Sequence, residues 1–155
     1  MPLIATLAAH PPERIAVRVG PLDIAYGRLL ADVMAAAAAL EAKGVTVESR
    51  VGICAGSVTN GHSYGSWVAH LALLHLGAGH ASAVDPASLA AALGAGMIDT
   101  AIGPRERLDQ IPAAIRSIEF DCDPAKPAIS SAADPTPPGN EAAARRFNLT
   151  SGTTG

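Results

Sequence analysis

Residues Thr150-Ser151-Gly152-Thr153-Thr154-Gly155 hold the densest cluster of small donors in the chain. Gly152 and Gly155 admit backbone angles closed to other residues, so successive N–H groups can turn into one concavity. The hydroxyls of Thr150, Ser151, Thr153 and Thr154 add further donors, and the sum is a cradle for phosphate oxygens. It is not a Walker A loop, which needs four residues between its glycines and then Gly-Lys-Ser/Thr. The composition also fits a flexible polar tail, and the six residues alone leave both readings open. Nothing apolar after Leu149 would anchor a terminus made this way, so the expectation is a polypeptide cut inside a longer one.

Other reactive side chains give weaker signals. Cys54 lies in "RVGIC", a run with the character of a buried strand, and with Cys122 it is expected to be a reduced structural thiol. His10, His62, His70, His75 and His80 show no pair at metal-ligand spacing, so the expectation is surface or satisfied histidines and no metal site. Asp121 and Asp123 in "DCDP" suit a turn better than a cation.

The loop needs a scaffold, and the text before it supplies strand and helix patterns in alternation. Arg14 to Val19 and Leu22 to Ala25 are short β-type runs separated by Gly20-Pro21, which predicts a hairpin. From Gly27 to Lys43, Leu29, Val33, Ala36 and Leu40 recur at helical spacing, with Gly44 as a left-handed stop. Arg50 to Cys54 predicts a strand. Tyr64 to Leu76, apolar nearly all round and ended by Gly77, predicts a buried helix.

"HASAV" predicts another strand; "DPASLAAALG" predicts a helix capped by Asp85, begun by Pro86 and stopped at Gly94; Asp99 to Ile102 predicts a third strand. This order with short connections predicts an α/β fold: a parallel-sheet βαβαβ core with helices on both faces, preceded by an N-terminal β-hairpin. After Gly103-Pro104 the pattern weakens. The expected organisation is an α/β subdomain over 1–121, a Pro- and Ala-rich loop or linker over 122–146, and a strand with a truncated phosphate loop over 147–155.

Composition narrows the function classes. The chain has 155 residues, 49% of them hydrophobic, enough for one domain with a core, but two Phe, two Tyr and one Trp make burial per residue thin. A formal charge of -3 without a basic block argues against nucleic-acid binding. No apolar run is long enough to span a bilayer and "MPLIATLAAHPPER" lacks the plan of a secretory signal, so a cytoplasmic location is expected.

"LTSGTTG" resembles the phosphate-binding loop of the adenylate-forming superfamily, which includes acyl- and aryl-CoA synthetases, adenylation domains of nonribosomal peptide synthetases, and firefly-type luciferases. The upstream stretches "HPPERIAVRV", "IAYGRLLADVMAAAAALEAKGV", "SRVGI" and "HLGAGHASAVDP" are similar to the opening of such enzymes in order and spacing. Departures are local. Ala25 stands where a helix-capping Thr is usual, Glu48-Ser49 replaces Gly-Asp, and the loop holding Asn60 is longer.

The resemblance implies an N-terminal fragment of an ATP-dependent acyl-CoA synthetase. In the parent, a carboxylic acid would be adenylated with ATP and Mg2+, then transferred to coenzyme A or a carrier-protein thiol. Thr150, Ser151, Gly152, Thr153, Thr154 and Gly155 would hold the β- and γ-phosphates, with no catalytic acid, base or nucleophile among them. The fragment alone is expected to be inactive and to hold no cofactor. Alternatives are a standalone nucleotide- or anion-binding module, or a non-catalytic interaction fragment that pairs with another chain; exposed apolar faces would also favour a homodimer.

Overall fold

The computed structural model describes residues 3–54, 64–83 and 86–126. Along them run α1 (Leu3–Ala8), β1 (Ile15–Val19), β2 (Leu22–Ala25), α2 (Tyr26–Ala42), β3 (Arg50–Cys54), α3 (Tyr64–Leu76), β4 (Gly79–Ala83), α4 (Pro86–Gly94), β5 (Thr100–Gly103), α5 (Arg105–Leu108) and β6 (Arg116–Glu119). The expected hairpin is present: β1 and β2 are antiparallel, with Val19 opposite Leu22. Gly20 at φ +58° gives the two-residue turn a twist that matches its strands.

Helix α2 starts without a side-chain cap, as Ala25 predicts. Its first free amides are satisfied by the chain that leads into β1. Tyr26 N–H donates to the Arg14 carbonyl at 2.9 Å and Gly27 N–H to that of Pro12 at 2.9 Å. A Cβ on Gly27 would lie 3.0 Å from Pro12 Cβ, so glycine permits this approach.

The helix ends share one device. After α2, Gly44 adopts φ +80° and Val45 N–H reaches back to the Leu40 carbonyl at 3.0 Å. After α3, Gly77 at φ +75° lets Ala78 N–H bond Leu73 in the same way. These are the hydrogen-bonded left-handed stops of the Schellman type. For α4 the expected stop at Gly94 is corrected: Gly94 stays helical and Gly96 takes φ +69°, with Met97 N–H bonded to the Ala92 carbonyl at 2.9 Å. Stopping at Gly96 also leaves Ile98 buried against the sheet.

Strands β3 to β6 form one parallel sheet in the order β4-β3-β5-β6. Val51, Ile53, Ile102 and Ile118 face a layer made by α2 and α3, whose Val33, Ala36, Val68, Ala72 and Leu73 are buried there. Cys54 and Ala101 face the opposite layer, with Leu89 and Ala92 of α4. Helices thus cover both faces. A Cβ at Gly52 would overlap Leu89 Cδ1 and come within 3.0 Å of Ile98 Cδ1, so glycine in β3 lets α4 lie flush on the sheet.

The expected βαβαβ series is present but shorter than the real one, which continues through α5 to a fourth parallel strand, β6. Two strands also shift by one residue from expectation, β4 to Gly79–Ala83 and β5 to Thr100–Gly103. Helix α1, absent from the pattern reading, buries Ile4 and packs on α2.

Candidate functional site

Connections out of β3 and β5 leave the sheet in different directions. From β3 the chain passes through α3 to β4 on one side; from β5 it passes through α5 to β6 on the other. The carboxyl ends of β3 and β5 therefore flank a topological switch point, where open α/β sheets place their ligand crevices. A cavity of about 40 Å³ lies there, room for one or two waters. It is lined by Ile53 and Cys54 of β3, Gly65 and Ser66 of α3, Gly103 at the end of β5 and Pro104 after it, and Phe120 and Asp121 after β6. Its strand ends are close: a Cβ on Gly103 would sit 2.8 Å from Cys54 Cβ.

Near the start of α3, two helices meet on one buried carboxylate. Asp32 of α2 is 1% exposed, and its Oδ2 accepts hydrogen bonds from Arg28 Nε at 2.7 Å and from the Tyr64 hydroxyl at 2.8 Å. Arg28 also donates through Nη2 to the Lys126 carbonyl at 2.6 Å. Among the described residues Asp32 Oδ1 is buried and has no hydrogen-bond partner. Burial, then the hydrogen bond and charge of Asp32, push the Tyr64 phenol well above its usual range. Burial first and Asp32 second push the Cys122 thiol up to about 11. Both groups are therefore neutral at physiological pH, so Cys122 is no thiolate nucleophile there.

Sequence reasoning passed over this cluster. The available signal was a carboxylate, Asp32, set between the buried Leu29 and Val33 on a helix, with an arginine four residues before it. The loop Thr150–Gly155 lies outside the described residues. Cys54 and Cys122 are buried thiols outside any disulfide, as expected. His70 Nε2 is 2.5 Å from Ser82 Oγ, His80 Nδ1 is 3.0 Å from the Ala78 carbonyl, and His10 stacks on Tyr26. Asp123 closes a turn, with Oδ1 accepting from Ala125 N–H at 2.9 Å. Among the described residues no group of three His, Cys, Asp or Glu side chains could share a metal ion. Nor is any helix among them long and apolar enough to cross a membrane.

A four-stranded parallel sheet with helices on both faces and an antiparallel strand pair before it is the fold of the N-terminal subdomain of adenylate-forming enzymes. Three solved structures illustrate the likeness. The O-succinylbenzoate coenzyme A synthetase MenE of Bacillus subtilis, solved with AMP, aligns at a TM-score of 0.64 and 16% identity over 75% of this chain and 30% of its own. The N-terminal subdomain of NpsA from Klebsiella oxytoca aligns at 0.62 and 19% over 75% of this chain and 29% of its own. Apo MatB from Rhodopseudomonas palustris aligns at 0.61 and 20% over 76% of this chain and 24% of its own. The chain thus spans less than a third of the length of each of these neighbours. No family model matches the chain, and no curated protein matches it in sequence.

Proposed function

We propose that the chain is the N-terminal part of an AMP-forming acid–thiol ligase and contributes its phosphate-binding loop. The reading is carried by one conjunction: a subdomain with the fold of adenylate-forming enzymes precedes Thr150–Gly155 in the order the resemblance requires. In the reaction a carboxylate oxygen of the acid attacks the α-phosphorus of ATP, and the bond to pyrophosphate breaks. A thiol, of coenzyme A or a carrier protein, then attacks the acyl carbon and AMP leaves.

The loop's backbone amides and hydroxyls would bind the β- and γ-phosphates. They would orient ATP for in-line attack and stabilise charge on departing pyrophosphate. Mg2+ would offset phosphate charge in the parent, and no step is assigned to a metal held by the described residues. The acid, the thiol and the adenosine would be gripped by residues beyond the chain, in the cytoplasm. Self-association of the chain alone through exposed Leu3, Ile15, Val47, Trp67 or Met97 would be a by-product of uncovered faces.

The test is a pyrophosphate-release assay with ATP, Mg2+, coenzyme A and a panel of carboxylic acids. The expected result is background release from this chain and acid-dependent release from the longer polypeptide that contains it. A reading frame continuing from Gly155 without Pro-Lys-Gly nearby, together with no acid-dependent release, overturns the proposal. Tight ATP binding by this chain in calorimetry would favour a standalone nucleotide module instead.

A further inference from the structure

Helix α3 carries no charged side chain, and a helix that is apolar all round is normally covered on every side. This protein covers it only in part. Val68, Ala69, Ala72 and Leu73 are fully buried, toward the sheet and α2. Trp67, by contrast, is 44% exposed, and one and two turns further along Leu71 and Leu74 are only half-buried. Their i, i+4, i+7 spacing puts the three on one stripe. His70 is the polar residue beside them, and its Nε2 lies 2.5 Å from Ser82 Oγ of β4, so the stripe presents no carboxylate, ammonium or guanidinium. A tryptophan flanked by leucines is the composition of an interface core. Leu3, Ile15, Val47 and Met97, the other exposed large apolar residues, lie on separate elements.

The occupant follows from length. The aligned part of this chain is less than a third of MenE, of MatB and of the NpsA N-terminal subdomain, so even within one such subdomain more than two thirds of the polypeptide lies outside the matched part. Added polypeptide of that size needs a receiving face, and α3 has an apolar one. We propose that the stripe Trp67, Leu71 and Leu74 is a buried seam in the parent, packed against polypeptide that follows Gly155 and meets it with an apolar, uncharged surface. The seam rests on the ligase reading only for the existence of that longer polypeptide. A second copy of the chain is the rival occupant, and it would cover the stripe only at concentrations where the chain self-associates.

Acrylamide quenching of tryptophan fluorescence tests it, because Trp67 is the only tryptophan in the chain. In the longer polypeptide, the Trp67 signal is the difference between that protein and its Trp67→Phe variant. Moving Trp67 from 44% exposed to the burial of an interface core should lower its quenching constant by about fivefold relative to this chain, at every protein concentration. Equal quenching in the two proteins would overturn the seam. So would protection that is lost on dilution, which gives the stripe to a second copy. Acid-dependent pyrophosphate release is measured on the same longer polypeptide. Release with Trp67 still open sinks the seam alone, whereas a protected Trp67 without release sinks the ligase reading alone.

Discussion

Replacing Gly52 by Ala tests how the sheet accepts its second helical layer. The added methyl would overlap Leu89 Cδ1 and stand 3.0 Å from Ile98 Cδ1, and both side chains are buried, Leu89 fully. Overpacking of this kind costs about 1–3 kcal/mol. Alanine in place of glycine in a strand returns about 0.5–1 kcal/mol by restricting the unfolded chain. Because the overlap is with a fully buried side chain, the cost falls in the upper part of that range and the net loss is about 1–2.5 kcal/mol, or a fall in Tm of roughly 2–10 °C for a chain of this size. Leu89→Ala alone opens a cavity and costs about 2–5 kcal/mol. It also vacates the space that the methyl added by Gly52→Ala needs, so the double variant should be more stable than the sum of the single losses by about 1–2 kcal/mol. Urea unfolding of the four proteins in the cycle supplies the numbers. A neutral Gly52→Ala, or losses that simply add, would refute the close approach of α4 to β3.

Alkaline pH should weaken the fold in a defined window. The Cys122 thiol is raised from 9.0 to about 11, so between those values the unfolded chain loses this proton first; stability present below pH 9 falls by up to about 3 kcal/mol as pH rises through 11. Tyr64, also raised, extends the loss above pH 10, and Cys122→Ala should remove the earlier part of the slope in pH-dependent urea melts. Gly44→Ala should cost about 1–2 kcal/mol in the same assay, because φ +80° is left-handed and the new Cβ would press on Arg116 Nη2 at 2.9 Å. At the level of activity, release of pyrophosphate by this chain should stay at background with every acid tried.

What could be read from the residues was whatever repeats with a period or is punctuated by glycine. The hairpin, α2, β3 and α3 stand where their patterns place them, because each has a continuous apolar face and a clear stop. Strand β6 was not legible: it lies at the sheet edge, and of Arg116, Ser117, Ile118 and Glu119 only Ile118 is buried, so no alternation is long enough to register. Helix α5 has four residues with none buried, below any periodic signal. Gly94 is the first glycine after the helical run and so reads as the stop, but the left-handed residue is Gly96. The hydrogen bond from Met97 to Ala92 and the burial of Ile98 decide between them, and both depend on tertiary packing.

The same distinction explains why the phosphate loop and the carboxylate cluster behaved so differently as candidates. A phosphate cradle is local: its donors would be the backbone amides and hydroxyls of consecutive residues, so a candidate such as Thr150–Gly155 stands out in one short stretch. The Asp32 cluster is assembled by folding from α2, the start of α3 and the chain after β6, and no stretch of sequence holds more than two of its members. Asp32 costs stability where it stands unless Arg28 and Tyr64 reach it together, and Arg28 at the same time bonds the Lys126 carbonyl. The cluster therefore joins the packing of α2 on α3 to the chain that leaves the sheet after β6, as far as Lys126.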